Sequence, residues 1–528
     1  MKRMHKKPAP RPEYVSESQL VIVGFETPFA QKLNPYNRWV LLAKQIPWDE
    51  VCNIYLKQVG VSSTGRPAIS PRIVIGSLII KHLCNLDDRE TVDQISENMY
   101  MQYFLGFSSF SNEAPFDASL FVEFRKRLGI NELNEMNLKI FKLYHELSSK
   151  SETKNPPKDD SKPDTSTLSD VESIDDTDNK IVTHKGRVLF DATACPQNIA
   201  YPTDINLLSS AREKSEEIID KIFNPILHLR KPRTYREVAR KEYLRIAQNK
   251  NKSRTAIRKG IRKQLGFLGR NIKSIHKLLD KYDEIPLNPK EHKYLLVIQT
   301  HYQQQKEMYD ARKHSVADRI VSIHQPHVRP IVRGKAKAKT EFGAKIHASL
   351  VDGFTFLDEL SWDTFNEGVH LPKYVEQYKE RFGYYPAEIL ADQIYCNREN
   401  RRQLKEMGIK LLAKPLGRPS AVKKEYVRPG ERNPIEGKFG QAKTAYGLGN
   451  IKARLKETSE SWIASIFLVL NLVKLAGVAL LCLFLNNLNV RFSAWTKLVL
   501  VIKNKMTEKL ESLRSFLEQN LMLKLEAD

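Results

Sequence analysis

At 528 residues the chain is too long for one hydrophobic core, and two or three domains are expected. Its 85 Lys and Arg outnumber 62 Asp and Glu, and the net charge of +23 argues for a polyanionic partner, a nucleic acid or a membrane surface, rather than for a fold. Five scattered cysteines (Cys52, Cys84, Cys195, Cys396, Cys482) form no Cys-x2-Cys pair, which excludes the usual structural zinc pattern and suits a reducing compartment.

The basic opening Met1-Lys2-Arg3-Met4-His5-Lys6-Lys7 runs into Pro-rich sequence, so no signal peptide is expected. Residues 1–147 read as an ordered arm followed by a helical domain. Ser70-Pro71 is a helix start, with an N-cap residue and Pro at the first position. Asp87 or Asp88 opens a second helix that Tyr103-Phe104-Leu105-Gly106 closes, Asp117 a third that ends at Gly129, and Asn131 a fourth through Leu147. Arg125, Lys126 and Arg127 at one helix end fit a DNA-binding module and, from composition alone, a helical packing module with a basic rim equally well.

Residues 148–180 carry few large apolar side chains and read as a polar, disordered linker. A further domain is expected over 181–486. It opens with the strand-like run Val188-Leu189-Phe190-Asp191, then turns helical from about 205 to 317, where Arg230 to Lys263 is densely basic with only Glu237 and Glu242 opposing. So one-sided a run fits a phosphate backbone better than a merely solvated face. Strand patterns return at Arg329–Arg333, Lys345–Val351 and Thr355–Trp362, with Asp352-Gly353 as a hairpin turn between the last two. Leu371–Phe382 reads as a helix, Glu388–Asp392 as a strand, Asn397–Met407 as a helix and Ile409–Leu412 as a strand. That order predicts an α/β domain, RNase H-like, with a helical insertion after its first strand and an all-α domain ahead of it. The apolar run Ile463–Leu485 is split by Lys474 and reads as a buried helix rather than a membrane span. A helical tail over 487–528 carries Leu510, Leu513, Leu517 and Leu521 at helical spacing.

Three carboxylates stand out. Asp191 and Asp392 each close a strand-like run, and Glu436 lies in Arg432-Asn433-Pro434-Ile435-Glu436-Gly437-Lys438-Phe439-Gly440-Gln441-Ala442-Lys443. Singly, each is read more simply as a cap or a salt-bridge partner. Jointly, they suit divalent metal beside a phosphodiester. His324 and His327, three apart with no companion ligand, are left to a loop, and Trp362 and the cysteines near the two Asp residues to packing.

These blocks resemble the DDE transposases of the IS4/IS5 insertion-sequence type. Their signature Tyr-x2-Arg-x3-Glu-x6-Lys is matched by Arg432, Glu436 and Lys443, with Pro429 in the Tyr position. Leu189-Phe190-Asp191-Ala192-Thr193-Ala194 and Ala391-Asp392-Gln393-Ile394-Tyr395 resemble the blocks around the two catalytic Asp residues, and Ile69–Gly129 the helical domain of IS5-like members. The resemblance implies a transposase that binds terminal inverted repeats and catalyses strand cleavage and transfer. It implies Asp191, Asp392 and Glu436 as ligands of two Mg²⁺ or Mn²⁺ ions, and Arg432 and Lys443 on DNA phosphates. A homodimer or higher oligomer on double-stranded DNA, in the cytoplasm at the nucleoid and away from membranes, would follow. A catalytically inactive DNA-binding remnant and an RNase H-like nuclease without strand transfer are the alternatives.

Overall fold

The computed structural model describes residues 32–59, 68–152, 184–332, 340–414 and 430–477. The expected linker beyond Glu152, Pro429 and the Leu510–Leu521 stripe lie outside them.

The N-terminal part is helical. Asn37 caps α1 (Arg38–Gln45), and α2 (Trp48–Gln58) follows. Then α3 (Pro71–Leu83) starts with Ser70 at its N-cap and Pro71 first, as the sequence predicts. Asp87 and Glu90 form a reciprocal capping box on α4 (Asp88–Glu97). The single helix expected from there to Gly106 is broken at Asn98, whose extended backbone ends α4 and whose side chain caps α5 (Met99–Phe104). After α6 (Leu120–Arg127), α7 (Ile130–Glu152) runs past the expected end at 147. Trp39 and Trp48 pack on Phe104 at centroid distances of 5.3 and 5.2 Å, and a side chain at Gly76 would collide with Leu105.

Strand β1 (Arg187–Pro196) opens the mixed sheet. Four helices follow, α8 (Asp204–Ile222), α9 (Arg236–Ala247), α10 (Arg254–Leu279) and α11 (Pro289–Asp310). Leu208, Ile219, Leu268, Ile275 and Ile298 give this group its own core. The chain then returns to the sheet with β2 (Arg329–Val332), β3 (Thr340–Val351) and β4 (Phe354–Ser361). The turn between the last two has positive φ at both Asp352 (50°) and Gly353 (81°), the conformation that a two-residue hairpin with right-handed twist requires. Next come α12 (Leu371–Phe382), β5 (Glu388–Leu390), α13 (Arg398–Glu406), β6 (Lys410–Leu412), α14 (Asn433–Ala445) and α15 (Lys456–Gly477). The sheet order is β2-β3-β1-β5-β6, with β4 also paired to β3; β3 is antiparallel to β1, whereas β5 and β6 run parallel to it.

Asp191 was expected to end its strand. Instead β1 continues to Pro196, because Ala192–Pro196 stay paired with β3 from His347 back to Gly343. One face of β1, with Val188 and Phe190, is buried, and Phe190 packs beside Tyr374 of α12. The other face carries Asp191 and Thr193.

The N-terminal helices dock on this sheet. Phe141 of α7 meets Phe354 and Phe356 of β4 at 5.5 and 5.8 Å, and Asn471 of α15 hydrogen-bonds both Asn137 and Thr355. Trp462 of α15 is ringed by Lys81 (4.5 Å), Arg125 (5.6 Å) and the edge of His82 (5.0 Å). Asp88 neutralises the two cations at 2.9 and 2.8 Å. By length and composition α15 could cross a membrane, but Ile463 to Asn471 are buried within the protein, as expected for a core helix. Residues 472–528 form a second unit, described only to 477.

Burial alone would raise the Asp88 carboxyl, but the hydrogen bonds from Arg125 and the charge of Lys81 outweigh it and hold the group at about 2. Asp88→Asn is expected to lower the unfolding free energy by about 2 kcal/mol near neutral pH. A depressed carboxyl stabilises the fold only while ionised. The deficit, read from denaturant melts across pH, should therefore shrink as pH falls from the ordinary 3.8 towards 2.

Candidate active site

The first two carboxylates are brought together by one strand pairing. Parallel β1 and β5 align Leu189 with Leu390, and Asp191 and Asp392 each lie two residues further on. Asp191 is still on its strand, where its Oδ1 accepts from the Ala192 N–H at 2.8 Å. Asp392 has left β5, and its Oδ1 accepts from the Gln393 N–H at 2.7 Å, capping a 3₁₀ turn over Gln393–Tyr395. A chain leaving a parallel strand at its carboxyl end opens a crevice, the usual place for a site in a mixed sheet.

The third carboxylate arrives on α14. Ile435, Phe439 and Ala442 are buried at helical spacing and dock the helix, so Glu436 in the first turn and Lys443 in the last lie one residue round from that stripe. Arg432, at the N-cap, reaches Asp392 Oδ1 at 3.1 Å and Asp191 Oδ1 at 3.6 Å. Lys443 Nζ donates to Thr193 Oγ1 at 2.8 Å. Thr193 was not singled out from sequence, although the two-residue period of a strand puts it on the same face as Asp191.

Burial pushes the Asp191 carboxyl above its ordinary range; the Ala192 N–H and Arg432 oppose this, while the negative charges of Asp392 and Glu436 add to it. Both partner carboxylates thus act on Asp191 through space. Among the described residues no group of three His, Cys, Asp or Glu side chains stands ready around one point, and the guanidinium of Arg432 spans Asp191 and Asp392 instead. The donor set is all oxygen, which is what a hard divalent cation takes.

Behind the sheet face, a buried network backs the site. His347, opposite Ala192 in β3, bonds Asp358 at 3.0 Å and stacks on Tyr374 at 3.5 Å, and Asp358 also holds Arg381 at 3.0 Å. His324 and His327 take no part in the site. His327 is pushed down to about 4 by burial and packs edge-on to Trp362 at 4.4 Å, whose Nε1 donates to Glu460 at 2.8 Å. Cys195 and Cys396 are buried.

Comparison with known proteins adds to this geometry. Residues 28–127 match the family model described as a transposase domain (DUF772), and residues 389–473 match a transposase DDE domain. The second match contains Asp392, Arg432, Glu436 and Lys443 and begins beyond Asp191. The uncharacterized protein ORF8 in the nfe locus of Rhizobium meliloti is 34% identical over 182 residues, covering 34% of this chain and 71% of that protein. No solved structure matches. A mixed sheet with Asp191 and Asp392 side by side at the end of its parallel strands, preceded by helices, agrees with these matches. The chain belongs to the insertion-sequence DDE transposases, metal-dependent polynucleotidyl transferases and endonucleases acting on DNA.

Because the Asp191 carboxyl is raised on folding, its ionisation costs stability above the ordinary carboxylate pKa. Asp191→Asn should therefore melt at a higher temperature than wild type near neutral pH in metal-free buffer. That gain should vanish at acid pH, where Asp191 is protonated in folded and unfolded chains alike, and thermal scans across pH check both halves.

Proposed function

We propose that the protein binds the terminal inverted repeats of an IS4/IS5-type insertion sequence and catalyses strand cleavage and strand transfer there, with Asp191, Asp392 and Glu436 as its catalytic carboxylates. The observation that carries this reading is the bridge between Asp191 and Asp392 made by Arg432, the N-cap of α14, four residues ahead of Glu436. A cationic group already occupies the gap between two carboxylates, at the carboxyl end of the central strands.

The sheet order supports an RNase H-like catalytic domain: an antiparallel β1-β3-β4 meander extended on the other side of β1 by parallel β5 and β6, with α8 to α11 inserted after the first strand. The helical residues matched by the transposase domain at 28–127 support an N-terminal module that helps hold DNA.

Asp191, the more buried carboxylate and the one that both others influence, would serve as the shared ligand, with Asp392 and Glu436 each completing a site for Mg²⁺ or Mn²⁺. When bound, such ions activate the attacking oxygen and stabilise the leaving one in an in-line displacement at phosphorus. The chain's own cations then have a separate task. Arg432 would turn from the two carboxylates to a DNA phosphate where a cation took its place, and a planar guanidinium suits a phosphate's paired oxygens. Lys443, held by Thr193 on the Asp191 face, offers a second phosphate contact and remains aimed by that hydrogen bond.

The test uses labelled DNA spanning the ends of the element, with Mg²⁺, and compares wild type with Glu436→Gln. Wild type should nick at the element boundary. The variant should retain binding but cleave about 10²–10³-fold more slowly, since a bound metal's charge stabilisation is worth several kcal/mol in the transition state. Equal cleavage by both proteins would remove Glu436 from the chemistry.

A further inference from the structure

The excess positive charge is not spread evenly, and one helix carries basic residues with no acidic residue of its own. Between Arg254 and Leu279, α10 contains no Asp or Glu at all. Its apolar face, with Leu265, Leu268, Ile275 and Leu278, is packed into the core shared with α8 and α11. Winding at 100° per residue puts Lys259, Arg262, Gly266, Arg270, Lys273 and Lys277 on the opposite side, and all six are exposed. The stripe is about 27 Å long, from 1.5 Å of rise per residue.

Two features separate this face from a merely solvated one. The first is the missing counter-charge. A soluble helix usually interleaves acids with its bases, and α8 does so with Arg212–Glu216 and Lys214–Glu217. On α10 only Lys263 of that side finds a carboxylate, Glu242 of α9, which also takes Arg245. Arg262, Lys273 and Lys277 make no ion pair among the described residues, and Lys259 makes none either, although its charge reaches the Glu242 carboxylate through space. Like charges three and four apart destabilise a helix, and a helix N-terminus favours acids, so the pattern works against α10 as an isolated element.

The second feature is Gly266. The other two glycines of α10 have packing reasons: a side chain at Gly260 would collide with Ile246 of α9, and one at Gly269 would crowd Tyr302 of α11. A side chain's Cβ at Gly266 would meet no neighbouring element within 4 Å. Glycine weakens a helix interior, and no neighbour inside the protein requires it here. It sits midway along the cationic stripe, between Arg262 and Arg270, where a missing side chain lets an outside partner approach the helix backbone.

We infer that this face of α10 is a docking surface for the sugar–phosphate backbone of duplex DNA, with the four unpaired cations on phosphates and Gly266 at the point of closest approach. The inference rests on the protein's being a DNA-acting transposase. It adds a binding surface outside the carboxylate site, one that reads no sequence because it touches only backbone.

The experiment measures binding of a labelled random-sequence DNA duplex by fluorescence anisotropy over a salt series. Divalent metal is left out, so cleavage does not enter and the result is independent of the roles of Asp191, Asp392 and Glu436. Full-length wild type is compared with a K259Q/R262Q/K273Q/K277Q variant and with Gly266→Leu. The quadruple variant should flatten the slope of log K against log salt by about 0.9 for each phosphate it no longer neutralises. Gly266→Leu changes no charge and meets open space, so it should keep the wild-type circular dichroism spectrum and melt at or above the wild-type temperature while weakening DNA binding about ten-fold, a change of roughly 1.4 kcal/mol. Wild-type affinity and salt slope in both variants would overturn the proposal. So would an effect on duplex RNA or on phosphatidylserine vesicles with none on DNA.

Discussion

Everything in the candidate site depends on the parallel pairing of β1 with β5. The pairing aligns two chain segments some two hundred residues apart and sets Asp191 and Asp392 level with each other at the end of the sheet. Burial is the first cause of the raised Asp191 carboxyl, and the negative charges of Asp392 and Glu436 add to it. Arg432 is the local answer. Its guanidinium touches both, and its place at the start of α14 also sets where Glu436 and Lys443 fall. The carboxylates, the arginine and the docking stripe of α14 are thus one arrangement, in which electrostatic strain at the sheet end is balanced by the helix that brings the third carboxylate.

The helices ahead of the sheet are part of the same body. α15 is the shared surface: its Asn471 joins α7 to β4, and its Trp462 lies within the Lys81, Asp88 and Arg125 group of the N-terminal helices. A buried charge group of this kind contributes little net stability over an apolar one, because desolvation offsets the Coulombic gain. What fixes the docking of α15 on this group is Trp462, whose ring lies against both Lys81 and Arg125.

The basic character of the chain divides into two kinds. On α8 the cations are mostly matched within the helix and serve stability, while on α10 they are left to the solvent side around an unexplained glycine. Net charge alone does not tell these apart. Only the pairing does, and it converts a general affinity for polyanions into a direction along one helix.

The sequence by itself determined most of the elements, because their signals are local. Ser70-Pro71 starts α3, Asp352-Gly353 turns the β3–β4 hairpin, and Arg432 caps the helix, α14, on which Glu436 and Lys443 lie. The resemblance of three separated blocks supplied the candidate carboxylates. Tertiary structure decided what depends on distant partners. β1 runs past Asp191 because β3 continues to pair with it, which the small, ambiguous Ala192-Thr193-Ala194 could not announce. Asn98 divides α4 from α5 by capping, a choice invisible to the apolar period. The bridge from Arg432 to both Asp residues, the Lys443–Thr193 bond and the empty space at Gly266 are facts of approach between segments far apart in the chain, and no local pattern encodes such distances.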